Sequence, residues 1–403
     1  MRVTIVTTWF PTERSPGLGI FVARHAASMT AAGHSIRVVH LAVASIDDGV
    51  RRTRVMGVPV VRLPMTPSRP HEVLQARRAL GPLTAGSDVV HTHAVSALLP
   101  YTLARPREPW LHTEHWSGIA NRGAALGIGS RLGAQWILRM ERRPDVVTAV
   151  SDQLAADLRI LRPHGEIRTV PNEVTRPAVL TPRREVVLGR DTLHLVGVGW
   201  MGEGKRPDLA VQIVAALTGR GVPARLTWVG SGPLAERCAV LAEHLDVNLT
   251  LTGQLPGERV AEVLADGDIF LVPTLSETFF LAAAEAIAAG RPVVTGDRGA
   301  HTSFLDPSVA AFVGRKDSAD TWADAVVDLV QRCRTMSAQS IQDTLPRAFT
   351  PEEVARAYGR AYEAAVTISS MERRSSSPKP DPGWPDGQRP GHSFSVLPLS
   401  ACS

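Results

Sequence analysis

The sequence predicts an α/β protein of two doubly wound, Rossmann-like domains that face one another across a cleft. Three observations carry this expectation. β-branched runs of strand length alternate with helical segments almost throughout, and such crossovers imply parallel sheets with helices on both faces. The alternation occurs twice, on either side of a stretch from Thr175 to Arg190 in which Pro, Arg and Val recur without a period. Glycine-rich loops and polar side chains then fall at strand ends, where open α/β sheets bind their ligands.

Composition agrees. A chain of 403 residues suits two domains, and 44% hydrophobic residues are enough for two cores. The net charge of +5 comes from scattered Arg rather than from basic blocks, which argues against a nucleic-acid partner. Cys238, Cys333 and Cys402 have neither metal nor redox spacing, so a reducing, cytoplasmic setting is expected. The opening MRVTIVTTWF reads as a first strand rather than a signal peptide. No apolar run approaches the roughly 20 residues of a spanning helix. Any membrane contact is therefore expected to be peripheral, at the inner face.

In order, strands are expected at Arg2–Thr7, Ser35–Leu41, Val55–Leu63, Asp88–His91, Trp110–Thr113 and Val146–Val150. Helices are expected at Phe21–Ala32, His71–Leu80, Arg131–Arg142 and Asp152–Leu158, the last capped by Ser151. This first domain spans 1–175 and the linker 176–190. The second domain, 191–345, starts with a strand at Leu193–Val198 and ends with a helix at Ala319–Cys333. A last helix over 350–368 packs back on the first domain, and the Ser-, Pro- and Gly-rich tail 369–403 is expected to be disordered.

The stretch with most chemistry is PTLSETFFLAAAEAIAAGRPVV, Pro273 to Val294. Glu277 sits on a loop and Glu285 eight residues on, inside an Ala-rich helix between two strands. A helix start at a strand end offers free N–H groups and a positive dipole to an anion, which suits a diphosphate. Four other loops fall at strand ends. Gly17 and Gly19 precede a helix start, and plain turn chemistry explains them equally well. His115 follows a strand, where it could donate to a sugar hydroxyl or be structural. The run GWMGEGK, Gly199 to Lys205, suits phosphate oxygens, whereas Gly230-Ser231-Gly232-Pro233 alone is an ordinary strand-to-helix turn.

Taken together, these loops resemble, in order and spacing, those of the retaining glycosyltransferases of family 4, which have the two-domain GT-B fold. The matching pieces include GHSIRVV, VVHTH, HTEHW, VTAVS, VPN, VGSGPL, LTGQLP and, most specifically, SETFFLAAAEAIAAGRPVV. The resemblance covers roughly Arg2 to Val366 and implies an enzyme of carbohydrate biosynthesis using a nucleotide-sugar donor. It implies that Glu285 hydrogen-bonds the donor ribose and that Glu277 lies beside the transferred sugar. Lys205 and the backbone N–H groups of Phe280 and Leu281 would meet the diphosphate, and Gly230 would lie in the donor site. His115 would sit near the sugar 6-hydroxyl, and Gly19 would let the first domain close over the phosphates. Trp9 and Trp116 are candidates for the acceptor side, each equally able to be core.

No metal or other cofactor is implied; Asp266-Gly267-Asp268 spells a metal signature of another transferase fold but reads here as a helix-to-strand junction. Four positions depart from the family pattern. Trp200 stands where Arg is usual, which removes one of two cations from the diphosphate; Arg206 or Arg298 is expected to substitute. Phe280 stands where Gly is usual, placing a large side chain where the backbone should approach the phosphates. Glu173 and Thr175 replace a Gly and an Asp. The implied activity is retaining transfer of a hexose-type sugar to a hydroxyl on a small molecule, glycan or lipid carrier. The alternatives are a nucleotide-sugar 2-epimerase of the same fold and a non-catalytic sugar-nucleotide- or partner-binding protein.

Overall fold

The structure, a computed structural model, describes residues 1–115 and 139–376. The first domain contains β1 (Arg2–Thr7), β2 (Ser35–Ala42), β3 (Arg52–Val55), β4 (Val58–Pro64), β5 (Val89–His93), β6 (Trp110–Glu114), β7 (Val146–Ala149) and β8 (Glu166–Thr169). They form one sheet in the order β3-β4-β2-β1-β5-β6-β7-β8. Its central strands are buried on both faces, which is why VTIVT and VVHTH read as continuous rather than alternating runs. Helices α1 (Ile20–Ala31), α2 (Pro70–Thr84) and α3 (Asp152–Leu161) cover it. The Ser151 hydroxyl caps α3 by accepting from the Leu154 N–H.

One expected strand is in fact two. Residues 52–64 fold as an antiparallel hairpin of β3 and β4, because Met56 (φ 48°) and Gly57 (φ 80°) both take left-handed backbone, as a two-residue hairpin turn demands. Met is not a turn-forming residue, so nothing in its identity signals the reversal. The helix expected at Arg131–Arg142 lies largely outside the described residues.

The second domain holds β9 (Leu193–Val198), β10 (Ala224–Val229), β11 (Asn248–Gly253), β12 (Ile269–Val272), β13 (Val293–Gly296) and β14 (Ala310–Val313). Their order is β11-β10-β9-β12-β13-β14, and every neighbouring pair is parallel. Helices α4 (Pro207–Gly219), α5 (Ala235–His244), α6 (Gly257–Asp266), α7 (Leu281–Ala288), α8 (Ala319–Arg332) and α9 (Ala338–Gln342) follow the strands. In each sheet the order reverses beside the first strand, β1 or β9. The crevice of a doubly wound fold opens at that reversal, outside the carboxyl ends of the strands. Residues 175–190 form no helix or strand and lie along the second domain, where Arg183 donates to the Cys333 and Met336 carbonyls at 2.6 and 2.8 Å.

The chain then returns to the first domain through α10 (Pro351–Ser376). Tyr358 and Tyr362 bury their rings in the first core beside α1. The Tyr362 hydroxyl lies 2.9 Å from His91 Nδ1 and 3.3 Å from His25 Nε2. The helix continues eight residues past 368, where disorder was expected to begin at Ser369. Ser369 is buried, and Arg105 of the first domain pairs with Glu372 at 3.3 Å, so the polar sequence finds partners that its composition does not reveal. Residues 377–403 lie outside the described residues.

Replacing Tyr362 by Ala removes a buried ring and the hydroxyl between two histidines. A loss of about 3–5 kcal/mol is expected, as for other buried aromatics. Urea unfolding followed by signals from each domain should show the first domain's transition moving and the second's staying.

Candidate active site

The acidic motif is assembled at the end of β12. From Val272 the chain runs through the loop of Glu277 into α7, and Phe280 caps the helix with φ 76° and ψ 64°. That left-handed backbone is natural for Gly and strained for Phe by roughly 1–2 kcal/mol. Here the structure corrects an expectation. The Phe280 ring does not stand over the helix start; it is 3% exposed and packs edge-on against Phe270 (5.8 Å) and His301 (5.4 Å). Left-handed backbone turns Cβ inward, so the residue keeps the glycine's conformation while contributing to the core. The first N–H groups of α7, starting at Leu281, keep the orientation that a helix start offers an anion.

Lys205 comes from the turn between β9 and α4. Its Nζ forms an ion pair with Glu277 Oε1 and lies 4.4 Å above the Phe280 ring. The Thr274 hydroxyl donates to the same carboxylate at 2.7 Å, although Oγ1 is also 3.1 Å from the Gly204 carbonyl. Gly299 packs its backbone on Glu277, and a Cβ there would lie 2.5 Å from Glu277 N. Lys205 and Thr274, from the ends of β9 and β12, thus hold the Glu277 carboxylate, while the loop after β13 packs against its backbone.

Between the domains lies a cleft of about 470 Å³. The second domain lines it with Trp200, Gly230, Gln254 and Glu285; the first contributes Gly17, Ile20 and Arg24. Ile20 and Arg24 are one helical turn apart on α1, so both face the second domain. Arg24 Nη1 reaches Glu285 Oε1 at 2.5 Å, with both side chains under one-fifth exposed. Glycines keep the loops beside the cleft tight within each domain. A Cβ on Gly19 (φ 64°) would lie 2.1 Å from the Trp9 carbonyl oxygen, and one on Gly230 (φ 135°) 2.1 Å from that of Gly199.

His115 approaches from the first domain. The Thr278 hydroxyl donates to its carbonyl at 3.0 Å, bringing the end of β6 beside the residue next to Glu277. Its ring stacks with His93 and packs on Phe21, with Trp9 6.3 Å away. Burial pulls its pKa down to about 3, and that of His25 to about 3, so both rings are neutral at ordinary pH.

The structure therefore groups Lys205, Glu277, Phe280 and Leu281 at the helix start, Glu285, Gly230 and Trp200 in the cleft, and His115 with Trp9 opposite. Arg206 is turned elsewhere: its guanidinium donates to the Arg315 carbonyl at 3.0 Å, and it is not among the residues lining the cleft. Trp116 lies outside the described residues. Trp200 is 58% exposed and presents its indole to the cleft, with its ring edge 3.0 Å from where a Cβ on Gly202 would be. Sequence reasoning missed Arg24, since a lone Arg on a helix resembles any solvated cation.

Two described clusters have ligand atoms close enough for a metal: His25, His91 and His93, and His112, Glu114 and Glu141. In the second, His112 lies 3.4 and 3.2 Å from the two carboxylates, which raise its pKa to about 9 against burial. Asp268 is held by Arg184 and accepts from the His194 N–H at 2.8 Å, while Asp266 lies 3.2 Å from His194 Nδ1. Both serve the junction between α6 and β12.

Comparison with known proteins matches most of both domains. The model described as Glycosyltransferase Family 4 covers residues 16–175, and that described as Glycosyl transferases group 1 covers 192–332. A D-inositol 3-phosphate glycosyltransferase of Saccharomonospora viridis is 26% identical over 358 residues, 80% of this chain and 82% of the relative. A GDP-mannose-dependent alpha-(1-6)-phosphatidylinositol dimannoside mannosyltransferase of Mycobacterium tuberculosis is 35% identical over 139 residues, 34% of this chain and 35% of the relative. In fold, a sucrose-phosphate synthase of Thermosynechococcus elongatus superposes with a TM-score of 0.75 at 20% identity, covering 90% of this chain and 98% of that one. A glycosyltransferase from Rickettsia africae gives 0.63 at 14% identity, covering 91% and 98%.

Phe280→Gly should relieve the left-handed strain yet leave a ring-sized hole. The cavity term of about 3–5 kcal/mol exceeds the strain of about 1–2, so a net loss of roughly 2 kcal/mol is expected from denaturant unfolding. A variant more stable than the parent would show that the ring packs poorly.

Proposed function

The chain belongs to glycosyltransferase family 4 and has the GT-B fold, and from that premise we propose what it transfers and how. It moves a hexose-type sugar, with retention of anomeric configuration and without a metal ion, from a nucleoside-diphosphate sugar to a hydroxyl acceptor. The observation that carries this reading is the meeting of Lys205, Glu277 and the start of α7 at the edge of a cleft that also holds Glu285. A cation and free helix N–H groups suit a diphosphate leaving group, whose charge grows as the glycosidic bond breaks.

In this reading the donor exchanges the protein's own ion pairs for its contacts. Lys205 passes from Glu277 to a phosphate oxygen, and Glu277 then accepts hydroxyls of the sugar. Glu285 leaves Arg24 for the paired ribose hydroxyls, which a carboxylate accepts well. His115 faces the sugar from the first domain, and the departing diphosphate takes the acceptor proton on the face it leaves. The relatives named for inositol phosphate and for GDP-mannose support this class of donor and a phosphorylated polyol or lipid-borne acceptor. Among the described residues no helix is long and apolar enough to cross a membrane, so a lipid-borne acceptor would be met at the surface.

Thermal unfolding in the presence of GDP, UDP and ADP tests the donor site. At a hundredfold excess over Kd, a ligand of the folded state adds about 2.7 kcal/mol, enough to raise Tm by several degrees. Lys205→Ala should weaken the effective nucleotide by about ten- to a hundredfold, the worth of one charge-assisted contact. Glu285→Ala should remove most of the shift. If no nucleotide or sugar nucleotide moves Tm and Glu285→Ala behaves as the parent, the site assignment fails. Donor turnover with no acceptor present would instead mark a nucleotide-sugar 2-epimerase.

A further inference from the structure

Behind His115 is a second polar assembly that donor chemistry does not account for. A cavity of about 10 Å³, the room one water needs, is lined by His25, His93, His115, Asn172, Glu173 and Tyr358, among others. Three buried polar atoms of its lining lack a hydrogen-bond partner among the described residues: His25 Nδ1, His93 Nε2 and Glu173 Oε2. His25, His93 and Glu173 are 4%, 1% and 4% exposed. Groups so buried normally have partners, and a water in a polar cavity makes about three hydrogen bonds. A metal is the weaker occupant. His91, the third imidazole of the cluster, already has both ring nitrogens engaged, at 2.9 Å to Tyr362 and 2.6 Å to Thr113.

The hydrogen-bond directions follow from Tyr362. Its single hydroxyl proton, placed on the shorter contact, goes to His91 Nδ1, and the oxygen accepts from His25 Nε2–H. His25 Nδ1 is then a lone pair. A water in the cavity donates to that lone pair and to Glu173 Oε2, and so accepts from His93 Nε2–H. His93 Nδ1 is thereby an acceptor for His115 Nε2–H, 3.1 Å away. His115 is left with Nδ1 as its lone pair. Burial keeps His25, His93 and His115 neutral, so each carries one ring proton and the chain has one consistent direction. Burial raises the pKa of Glu173 above the ordinary carboxylate value, and the hydrogen bond from Ser28 and the charge of Arg24 oppose that rise and favour the carboxylate.

We propose that Glu173 is a positioning residue that acts through one buried water and His93 to fix the ring tautomer of His115, presenting Nδ1 as a hydrogen-bond acceptor to the transferred sugar. The part about the sugar rests on the function proposed above; the tautomer does not. Glu173 stands in the VPN segment where the family resemblance leads one to expect Gly, so this is a property of this chain rather than of the motif.

Nitrogen-15 NMR of the full chain with labelled histidine reads the ring nitrogens directly, with His93→Gln and His115→Gln giving the assignments. The parent should show His93 and His115 protonated on Nε2. Glu173→Gln, whose carboxamide is oriented by Ser28 with its NH₂ toward the water, should move both protons to Nδ1. Its kcat should fall by about tenfold, the worth of one hydrogen bond to the transferred sugar, with nucleotide Kd unchanged. His115 protonated on Nδ1 in the parent, or identical tautomers in parent and Glu173→Gln, would overturn the proposal. If Glu173→Gln does not fold, Glu173→Gly takes its place: it removes the carboxylate and should mix the His93 and His115 tautomers, and tautomers identical to the parent's would overturn the proposal. A parent that shows the Nε2 tautomers yet transfers no sugar from any donor would refute the proposed function and leave the relay standing.

Discussion

The cleft between the two domains depends on the chain closing on itself. After the second domain is complete, α10 crosses back and buries Tyr358 and Tyr362 in the first domain's core, between α1 and β5 to β7. The crossing is reinforced where Val174 N–H donates to the Phe349 carbonyl at 2.8 Å. Two sheets joined only by an irregular linker would be free to reorient, since contacts between domains of one chain resemble transient interfaces. A second covalent crossing with buried aromatics makes the facing arrangement a property of the fold. It also puts the Tyr362 hydroxyl against His25 and His91, so the helix that sets the domain arrangement also orders the histidines beneath the site.

Within that frame, backbone conformation decides how closely the strand ends approach. Gly230 and Gly299 pack a bare Cα against another loop's backbone, and Gly19 against the start of its own loop, at places where a Cβ would sit within 2.6 Å of a main-chain atom. Phe280 achieves the same turn with a side chain, and the strain is offset by burying the ring against Phe270 and His301. The substitution thus changes the floor of the site rather than its opening, and places an aromatic face under Lys205, where a cation is favoured. Trp200 has no such compensation in the core, and its indole is offered to the cleft instead.

Electrostatically, the site neutralises itself. Lys205 lies on Glu277 and Arg24 on Glu285, so neither half-buried carboxylate is left uncompensated. These are also the side chains whose charges suit a nucleoside diphosphate and its sugars. Charge matched internally keeps the cleft stable and leaves it ready to exchange partners with a ligand of the same pattern.

The succession of β-branched runs and helices, doubled around an aperiodic stretch, was enough to establish two doubly wound domains, because parallel strands buried on both faces leave that pattern in any sequence. The acidic motif was equally legible, since a loop, a helix start and two carboxylates at fixed separation are local features. What no local pattern held was decided by tertiary structure. Met56 turns a strand into a hairpin, Phe280 points inward, Arg206 turns away, and the polar residues after Ser369 stay helical against the first domain. Arg24 meets Glu285 across 261 positions of chain, and Glu173 shares a cavity with histidines from three other segments. Which partner a polar side chain finds depends on distances between remote segments, and only the folded arrangement of the two sheets sets those distances.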